Sequence, residues 1–242
     1  MRDPYLYDDA DVLRNNGNIK DADLLKQAEA DVIRYTMVPI YSREFEIFDT
    51  ETLKVIHREI FGALYPWAGE FRTIPIIKQE EILGGDTVRY AYPKQIKKEL
   101  NDISKEIAKL KRIDDNKELV FRIVRLTAQI WQVHPFREGN TRSIVVFSVL
   151  LAQSLGLKVD YSLFKDNAAY VRNSLVWACQ GIYSKFEYLE QIYYDAMLGE
   201  EAKKESSSAG ENIGKYESIE GYKVKDYKEA PHIYDANHIE DK

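Results

Sequence analysis

This chain has very little cysteine, no excess of positive charge and no long apolar run. The single cysteine, Cys179, excludes an intramolecular disulfide framework and is typical of a reducing compartment. A net charge of −6 argues against a nucleic-acid-binding surface, which needs clustered lysine and arginine. No apolar stretch approaches the length of a membrane span, and no ordinary secretory signal is visible. We therefore expect a cytoplasmic protein, or one delivered to a host cytosol by a dedicated secretion machine. Delivery of that kind requires neither a membrane span nor an ordinary secretory signal.

The composition and the apolar periodicity predict one medium-sized, all-helical domain with an appendage. Hydrophobic residues make up 45% of the 242 residues and charged residues 31%, as in globular proteins. The only region with strand character is 71–92, where isoleucines precede Gly84 and Gly85 and alternating apolar residues follow, so we expect an irregular hairpin there. Helices are expected over 21–37, from 49 onward, and over 93–113, 118–133, 144–151, 167–180 and 186–198.

Residues 134–142 (HPFREGNTR) carry the densest group of chemically active side chains. Pro135 disfavours helical geometry at His134, so the preceding helix is expected to end there with an imidazole at its tip. Phe136 has no polar function and is expected to anchor the loop in the core. Gly139 can adopt the positive φ that turns successive N–H groups into an anion-binding concavity at the start of the next helix.

The polar side chains of the same loop indicate phosphate chemistry. Asn140 and Arg142 add donors, and a guanidinium suits phosphate oxygens. Glu138 would be unfavourable beside an anion unless a cation lay between them, and Mg²⁺ bridging the carboxylate and phosphates is the simplest solution. His134 could then deprotonate an incoming hydroxyl. The residues predict metal-assisted transfer of a phosphate-containing group, although Glu138 could instead cap the helix and Arg142 could form a surface salt bridge.

The order of these residues resembles the signature of the Fic family, H-P-F-x-[D/E]-G-N-G-R-x-x-R. Further likeness lies in 5–20 (YLYDDADVLRNNGNIK), 57–72 (HREIFGALYPWAGEFR) and 90–96 (YAYPKQI), and it covers about residues 1–198. The resemblance implies a Fic-type helical bundle whose small β-hairpin, the flap, covers the active site. It also implies transfer of AMP from ATP, with Mg²⁺, to a Ser, Thr or Tyr hydroxyl of a target protein. His57 is expected to pack or cap locally.

The resemblance also assigns a role to each polar residue of the loop. His134 would be the general base, and Glu138 would be the Mg²⁺ ligand. The phosphates would be held by Gly139, Asn140 and Arg142.

Two positions depart from the family signature. Thr141 stands in place of its second glycine, and Val145 in place of its second arginine. Position 145 lies about one helical turn beyond Arg142 on the same face, so an arginine there could reach an outer phosphate and valine cannot. Another residue could supply the missing charge, or the donor could be a different nucleotide. Phosphoryl transfer, removal of a nucleotide from a modified protein and a catalytically silent target-binding module remain alternatives.

The predicted hairpin has two interpretations. A strand edge beside the active site could bind an extended segment of a target protein through main-chain hydrogen bonds, with Ile74, Ile76 and Ile77 as the docking residues. The family resemblance favours this interpretation. The alternative is a connector that only caps the helical core.

Residues 199–242 differ in composition from the rest of the chain. Residues 200–242 contain eleven acidic residues and seven lysines, so this segment carries −4 of the net charge of −6. We expect a polar, acidic tail that is disordered or regulatory. Inhibitory segments of the family resemble [S/T]-x-x-x-E-[G/N], and here Glu211 and Glu220 approach that pattern, with Tyr216 where the second site needs Ser or Thr. A small antitoxin partner would be the other source of inhibition.

Overall fold

The computed structural model describes residues 2–205, 215–224 and 233–234, and within them it confirms a predominantly helical fold. The helices are α1 (Ala22–Ile40), α2 (Thr50–Phe61), α3 (Pro93–Ile107), α4 (Asn116–Val133), α5 (Asn140–Ser154), α6 (Ser162–Asp166), α7 (Ala168–Ala178) and α8 (Glu187–Glu205). The strands, of two residues each, are β1 (Ile76–Ile77), β2 (Ser218–Ile219), β3 (Tyr222–Lys223) and β4 (Ile233–Tyr234). The helix α8 continues past residue 198, where the sequence pattern had predicted its end.

Aspartate caps explain where three of the helices begin. The side chains of Asp21, Asp49 and Asp115 accept hydrogen bonds from first-turn N–H groups of α1, α2 and α4. A cap of this kind stabilises a helix by about 1 kcal/mol. The helix α5 differs, because Gly139 precedes it and no side chain caps it. Its first-turn N–H groups lack acceptors within the helix, so a bound anion can satisfy them.

The centre of the domain is formed by α4 and α5. The helix α4 packs against α3, α5, α7 and α8, and α2 packs against α1 and α5. Residues 143–152 of α5 are all buried, which confirms the prediction of a helix enclosed by other helices. Residues 134–139, which we call the motif loop, connect these two helices and are therefore fixed at both ends by the core. Within the described ranges, no helix has both the length and the apolarity needed to cross a bilayer.

Residues 71–92, the flap, form the predicted irregular segment but with only one strand. An isolated bridge between Gln79 and Thr87 closes its turn. The expectation of a second strand over 88–92 was wrong, because that stretch leaves the turn and enters the core. Tyr90 is 9% exposed, and its ring stacks on His134 with centroids 4.0 Å apart.

The partner of the flap strand comes instead from the end of the chain. Strand β4 pairs antiparallel with β1, with Ile76 opposite Tyr234 and Ile77 opposite Ile233. Before it, β2 and β3 form a tight hairpin, and Ile219 there is 1% exposed. The described parts of the acidic tail therefore contact the domain and complete the flap.

Candidate active site

The motif loop and the first turn of α5 form a pocket, called the motif pocket below. Its lining consists of Lys78, Trp131, His134, Glu138, Gly139, Asn140, Thr141, Arg142 and Arg172. All the polar residues predicted from the loop are thus brought together. Two further cations, Lys78 from the flap and Arg172 from α7, complete the pocket, and neither was predicted.

His134 is held firmly at the end of α4. It has the left-handed conformation (φ 50°, ψ 60°) that ends the helix where the sequence predicted, and it is 3% exposed. Its Nδ1 lies 3.2 Å from the carbonyl oxygen of Trp131, while Tyr90 stacks on the ring. A carbonyl can only accept a hydrogen bond, so Nδ1 carries a proton, and in the neutral imidazole the lone pair is therefore on Nε2. This tautomer can accept a proton through Nε2.

Arg72 fixes the backbone of the motif loop to the flap. Its Nε donates to the carbonyl oxygen of His134 and its Nη1 to that of Ile74, each at 2.7 Å. Its own N–H donates to the carbonyl oxygen of Pro135 at 2.9 Å. Burial lowers the pKa of this guanidinium to about 10, so it remains a cation at neutral pH. This role could not be predicted from the sequence, because the partners are backbone atoms that no side-chain pattern identifies.

Phe136 and Asn140 close the loop on itself. The Phe136 N–H donates to the Asn140 Oδ1 at 2.9 Å, and the Asn140 Nδ2 donates to the Phe136 carbonyl oxygen at 2.8 Å. The Phe136 ring is fully buried. Asn140, predicted to bind phosphate, lines the motif pocket but uses both ends of its amide to clamp the loop.

His57 supports the other side of the loop. Its Nδ1 accepts the Gly69 N–H at 2.9 Å, so its Nε2 carries the proton and donates to the Glu138 carbonyl oxygen at 2.9 Å. The imidazole also stacks on Phe136, with ring centroids 3.8 Å apart. Burial lowers the pKa of His57 to about 4 and keeps it neutral. The expectation that this histidine packs or caps locally was incomplete, because its imidazole also contacts Glu138 and Phe136, which are distant in sequence.

Gly139 is required by the backbone and by the space around it. Its φ of 79° lies in the region that only glycine adopts readily. A Cβ at this position would lie 2.4 Å from the Cε2 of Phe61, which is inside van der Waals contact. Its N–H donates to the Glu138 Oε1 at 2.9 Å.

Arg137, the undefined position of the signature, ties the loop to the start of the chain. Its Nε and Nη2 donate to the Asp3 Oδ2 at 3.0 and 2.7 Å. Both side chains are almost fully buried, at 6% and 4% exposure. This charge pair makes residues near the N-terminus part of the loop's support.

Arg142 and Glu138 form the polar mouth of the motif pocket. The Arg142 Nη1 donates to Glu29 of α1 at 2.6 Å, and its Nη2 lies 3.8 Å from the Glu138 Oε1. Glu29 also accepts the hydroxyl of Tyr65 at 2.6 Å. Among the described residues that line the pocket, Glu138 is the only carboxylate. Glu29 was not predicted, because only the packing of α1 on α2 brings it to Arg142.

The two departures from the signature have distinct structural consequences. The Thr141 Oγ1 accepts a hydrogen bond of 2.9 Å from the Trp131 Nε1, so its hydroxyl joins α5 to α4. Val145 is 7% exposed and belongs to the hydrophobic core. It contributes no polar group to the motif pocket.

Of the two predicted inhibitory glutamates, Glu220 is not among the residues that line the motif pocket. Glu220 is exposed, accepts a hydrogen bond from the Tyr188 hydroxyl and pairs with the Lys185 Nζ at 2.8 Å. These two partners lower the pKa of its carboxyl and keep it ionised. Glu211 lies outside the described residues.

The predicted docking isoleucines of the flap face mainly inward. Ile74 and Ile76 are each 7% exposed, and Ile77 is half-buried. The contact with β4 is made by paired main chain at Ile76 and Ile77. The flap edge therefore pairs with β4 through main-chain atoms.

Comparison with known proteins identifies relatives of this chain. Residues 47–152 match the Fic/DOC family. The probable protein adenylyltransferase y4lH of Sinorhizobium fredii is 32% identical over 168 residues, which are 67% of this chain and 81% of the relative. The protein adenylyltransferase VbhT of Bartonella schoenbuchensis is 31% identical over 170 residues. That match covers 66% of this chain but 32% of VbhT, so the similarity spans about a third of that protein.

A solved structure supports the fold. The crystal structure of BepC from Bartonella tribocorum, with bound AMPPNP, has a TM-score of 0.66 and 25% sequence identity to this chain. The similarity covers 79% of this chain and 95% of BepC. The helical fold described above is therefore one that holds an ATP analogue in that protein.

Proposed function

We propose that this chain, which belongs to the Fic/DOC family, is a protein adenylyltransferase that transfers AMP from ATP to a Ser, Thr or Tyr hydroxyl. The observation that carries the proposal is the motif pocket, where the His134 imidazole lies beside the uncapped start of α5. Relatives about 30% identical are named protein adenylyltransferases, and the BepC structure contains a bound ATP analogue.

The phosphates of ATP fit the N-terminal end of α5. The first-turn N–H groups of that helix and the turn at Gly139 favour an anion, and the helix dipole adds a positive field there. Arg142 brings a guanidinium to the same mouth. These groups would bear the negative charge that grows on the transferred phosphoryl group. Asn140 contributes indirectly, because it holds the loop in shape.

Glu138 is the residue that would hold Mg²⁺. Its carboxylate lines the motif pocket, and Mg²⁺ typically takes one or two carboxylates, phosphate oxygens and water. Among the described residues no group of three or more His, Cys, Asp or Glu side chains forms a metal cage. One carboxylate therefore fits a cation that arrives with the nucleotide. Mg²⁺ there would supply positive charge to the phosphates and the leaving pyrophosphate.

His134 acts as the general base. The Nε2 of His134 removes the proton from the target hydroxyl as that oxygen attacks the α-phosphorus of ATP. The bond between the α-phosphorus and the bridging oxygen to the β-phosphate breaks, and pyrophosphate leaves. The contact from Nδ1 to the Trp131 carbonyl fixes the tautomer and the stacking on Tyr90 fixes the ring, so little reorganisation is needed.

The target protein docks on the flap as an extended segment. The pairing of β4 with β1 supports this, because it demonstrates that the edge at Ile76–Ile77 accepts an antiparallel strand. Recognition through main-chain hydrogen bonds requires no strict sequence. A target segment and β4 would then compete for one edge.

Labelled nucleotides test the reaction. Incubation of the protein with a cell lysate and ATP labelled in the α-phosphate should label a protein band. His134→Ala should abolish that label, while Arg122→Ala, a change at a surface salt bridge on α4, should leave it unchanged. Label transferred from γ-labelled but not from α-labelled ATP would contradict AMP transfer and indicate phosphoryl transfer. No label from any donor would favour a silent binding module.

A further inference from the structure

Arg172 brings a guanidinium into the motif pocket from outside the signature. It lies on α7 and lines the pocket together with Lys78 of the flap and the residues of the motif loop. Its Cζ is 6.0 Å from the ring of Trp131, the same indole that donates to Thr141 in the first turn of α5. Arg172 therefore adjoins the phosphate-binding end of α5.

This guanidinium is buried and is oriented by one carboxylate. Arg172 is 7% exposed, and its Nη2 donates to the Oε1 of Glu80 at 2.6 Å while its Nη1 contacts the other oxygen. Glu80, a flap residue, is 1% exposed and lies 3.5 Å from the hydroxyl of Tyr90. A guanidinium has five N–H donors in a planar fork, so an arginine can bind a carboxylate and a phosphate at the same time.

The signature places its second arginine at position 145, where this chain has a buried valine. We propose that Arg172 binds the outer phosphates of the triphosphate donor in place of that arginine, with Glu80 as the counter-ion that orients it. This inference rests on the proposed function, because it assigns the donor's triphosphate to the motif pocket. Residues of α5, α7 and the flap would then contact the donor together.

A purely structural role for the pair makes a different prediction. If Arg172 and Glu80 only join α7 to the flap, removing either member should have the same consequence. If Arg172 binds phosphate, removing Arg172 should weaken donor binding, whereas removing the charge of Glu80 should not. The affinity for AMP, which lacks the outer phosphates, provides an internal reference.

Calorimetric titration of the full chain with MgATP and with AMP separates these two roles. Arg172→Gln should weaken ATP binding by on the order of 10- to 100-fold, because charge-assisted hydrogen bonds to phosphate are lost. AMP binding should change by less than about twofold, because its single phosphate stays on the loop and α5. Glu80→Gln should leave ATP binding equal or tighter, because the amide oxygen can still accept a hydrogen bond from Arg172 and orient it, while the negative charge that competes with phosphate is removed.

A rescue variant and a neutral pair complete the design. Val145→Arg placed in the Arg172→Gln protein should restore part of the ATP affinity, since it returns a guanidinium to the signature position. If Arg172→Gln alone fails to fold, Glu80→Gln combined with Arg172→Gln avoids a buried unpaired charge and should show the same selective loss of ATP affinity.

Three results would overturn the inference. These are an unchanged ATP affinity in Arg172→Gln, an equal loss for ATP and AMP, and the same loss of ATP affinity in Glu80→Gln as in Arg172→Gln. A wild-type protein that binds neither nucleotide would remove the proposed function as well. A wild-type protein that binds both and labels a target, with Arg172→Gln unaffected, would remove this inference alone.

Discussion

The motif loop and the flap border the same pocket, but different kinds of contact hold them in place. The loop is supported by buried bonds from residues around it, including the bond from His57 to the Glu138 carbonyl and the Asn140 clamp. The flap has a two-residue strand whose partner, β4, comes from the acidic tail. The comparison indicates that the groups proposed to react are held from several sides, whereas the edge proposed to meet the target is completed by a two-residue strand of the tail.

The largest predicted effect is the loss of the buried charge pair beneath the loop. Arg137→Met would leave Asp3 buried without its partner and should lower the free energy of unfolding by about 3–5 kcal/mol. Chemical denaturation measures this change. The matched control is Arg122→Met, which breaks an exposed pair with Glu118 and should cost less than about 0.5 kcal/mol. Equal costs for the two variants would show that the loop is not anchored through Asp3.

Acid should weaken the loop's support through His57. Its pKa is about 4 in the folded protein and about 6.5 when unfolded, so between these values only the unfolded chain binds the proton. The stabilisation is complete above pH 6.5 and is lost as the pH falls to 4, by about 3 kcal/mol. His57→Gln, whose amide does not titrate, should show a shallower decline of unfolding free energy over this range. Parallel curves for the two proteins would contradict the prediction.

A methyl group at the turn should distort the loop. Gly139→Ala combines a positive φ with a clash against Phe61 and should cost about 2–3 kcal/mol, together with most of the transfer activity. Gly156→Ala is the control, because Gly156 also has a positive φ but no atom lies within 4 Å of its added Cβ. It should lose stability only through strain and should keep its activity. Full activity in Gly139→Ala would show that the close contact with Phe61 is not needed.

The smallest effect is expected at the flap. Ile233→Pro with Tyr234→Pro, in the full chain, removes N–H groups that β4 can donate and should release the flap edge. Labelling of lysate targets from α-labelled ATP should rise by about 2- to 10-fold, the equivalent of one or two hydrogen bonds. Prolines at Ser206 and Ser207, in the serine-rich sequence, provide the control and should not change labelling. A fall in labelling would show that β4 assists target docking instead of competing with it.

The sequence predicted the parts of this molecule that depend on local chemistry. Pro135 placed the end of α4 at His134, and the helix expected from residue 49 onward begins there with Asp49 as its cap. The prediction of a loop between two buried helices was also confirmed, because apolar periodicity reports burial directly.

The parts that the sequence did not predict depend on contacts between distant segments. Arg172 and Glu80 meet only because α7 packs beside the flap, and Glu29 meets Arg142 only because α1 packs on α2. The pairing of β4 with β1 could not be inferred either, since two-residue strands have no period to detect. The expectation of a second flap strand over 88–92 was wrong. Alternating tyrosines also occur where a chain enters the core without pairing as a strand.

The most direct test of the central claim compares donor binding with transfer in one variant. If the loop and α5 hold ATP while His134 only moves the proton, His134→Ala should bind MgATP within about twofold of wild type. Its single-turnover rate of AMP transfer should fall by about 10²- to 10⁴-fold. A variant that loses affinity and rate in the same proportion, or that transfers AMP at the wild-type rate, would contradict the assignment of His134 as the general base.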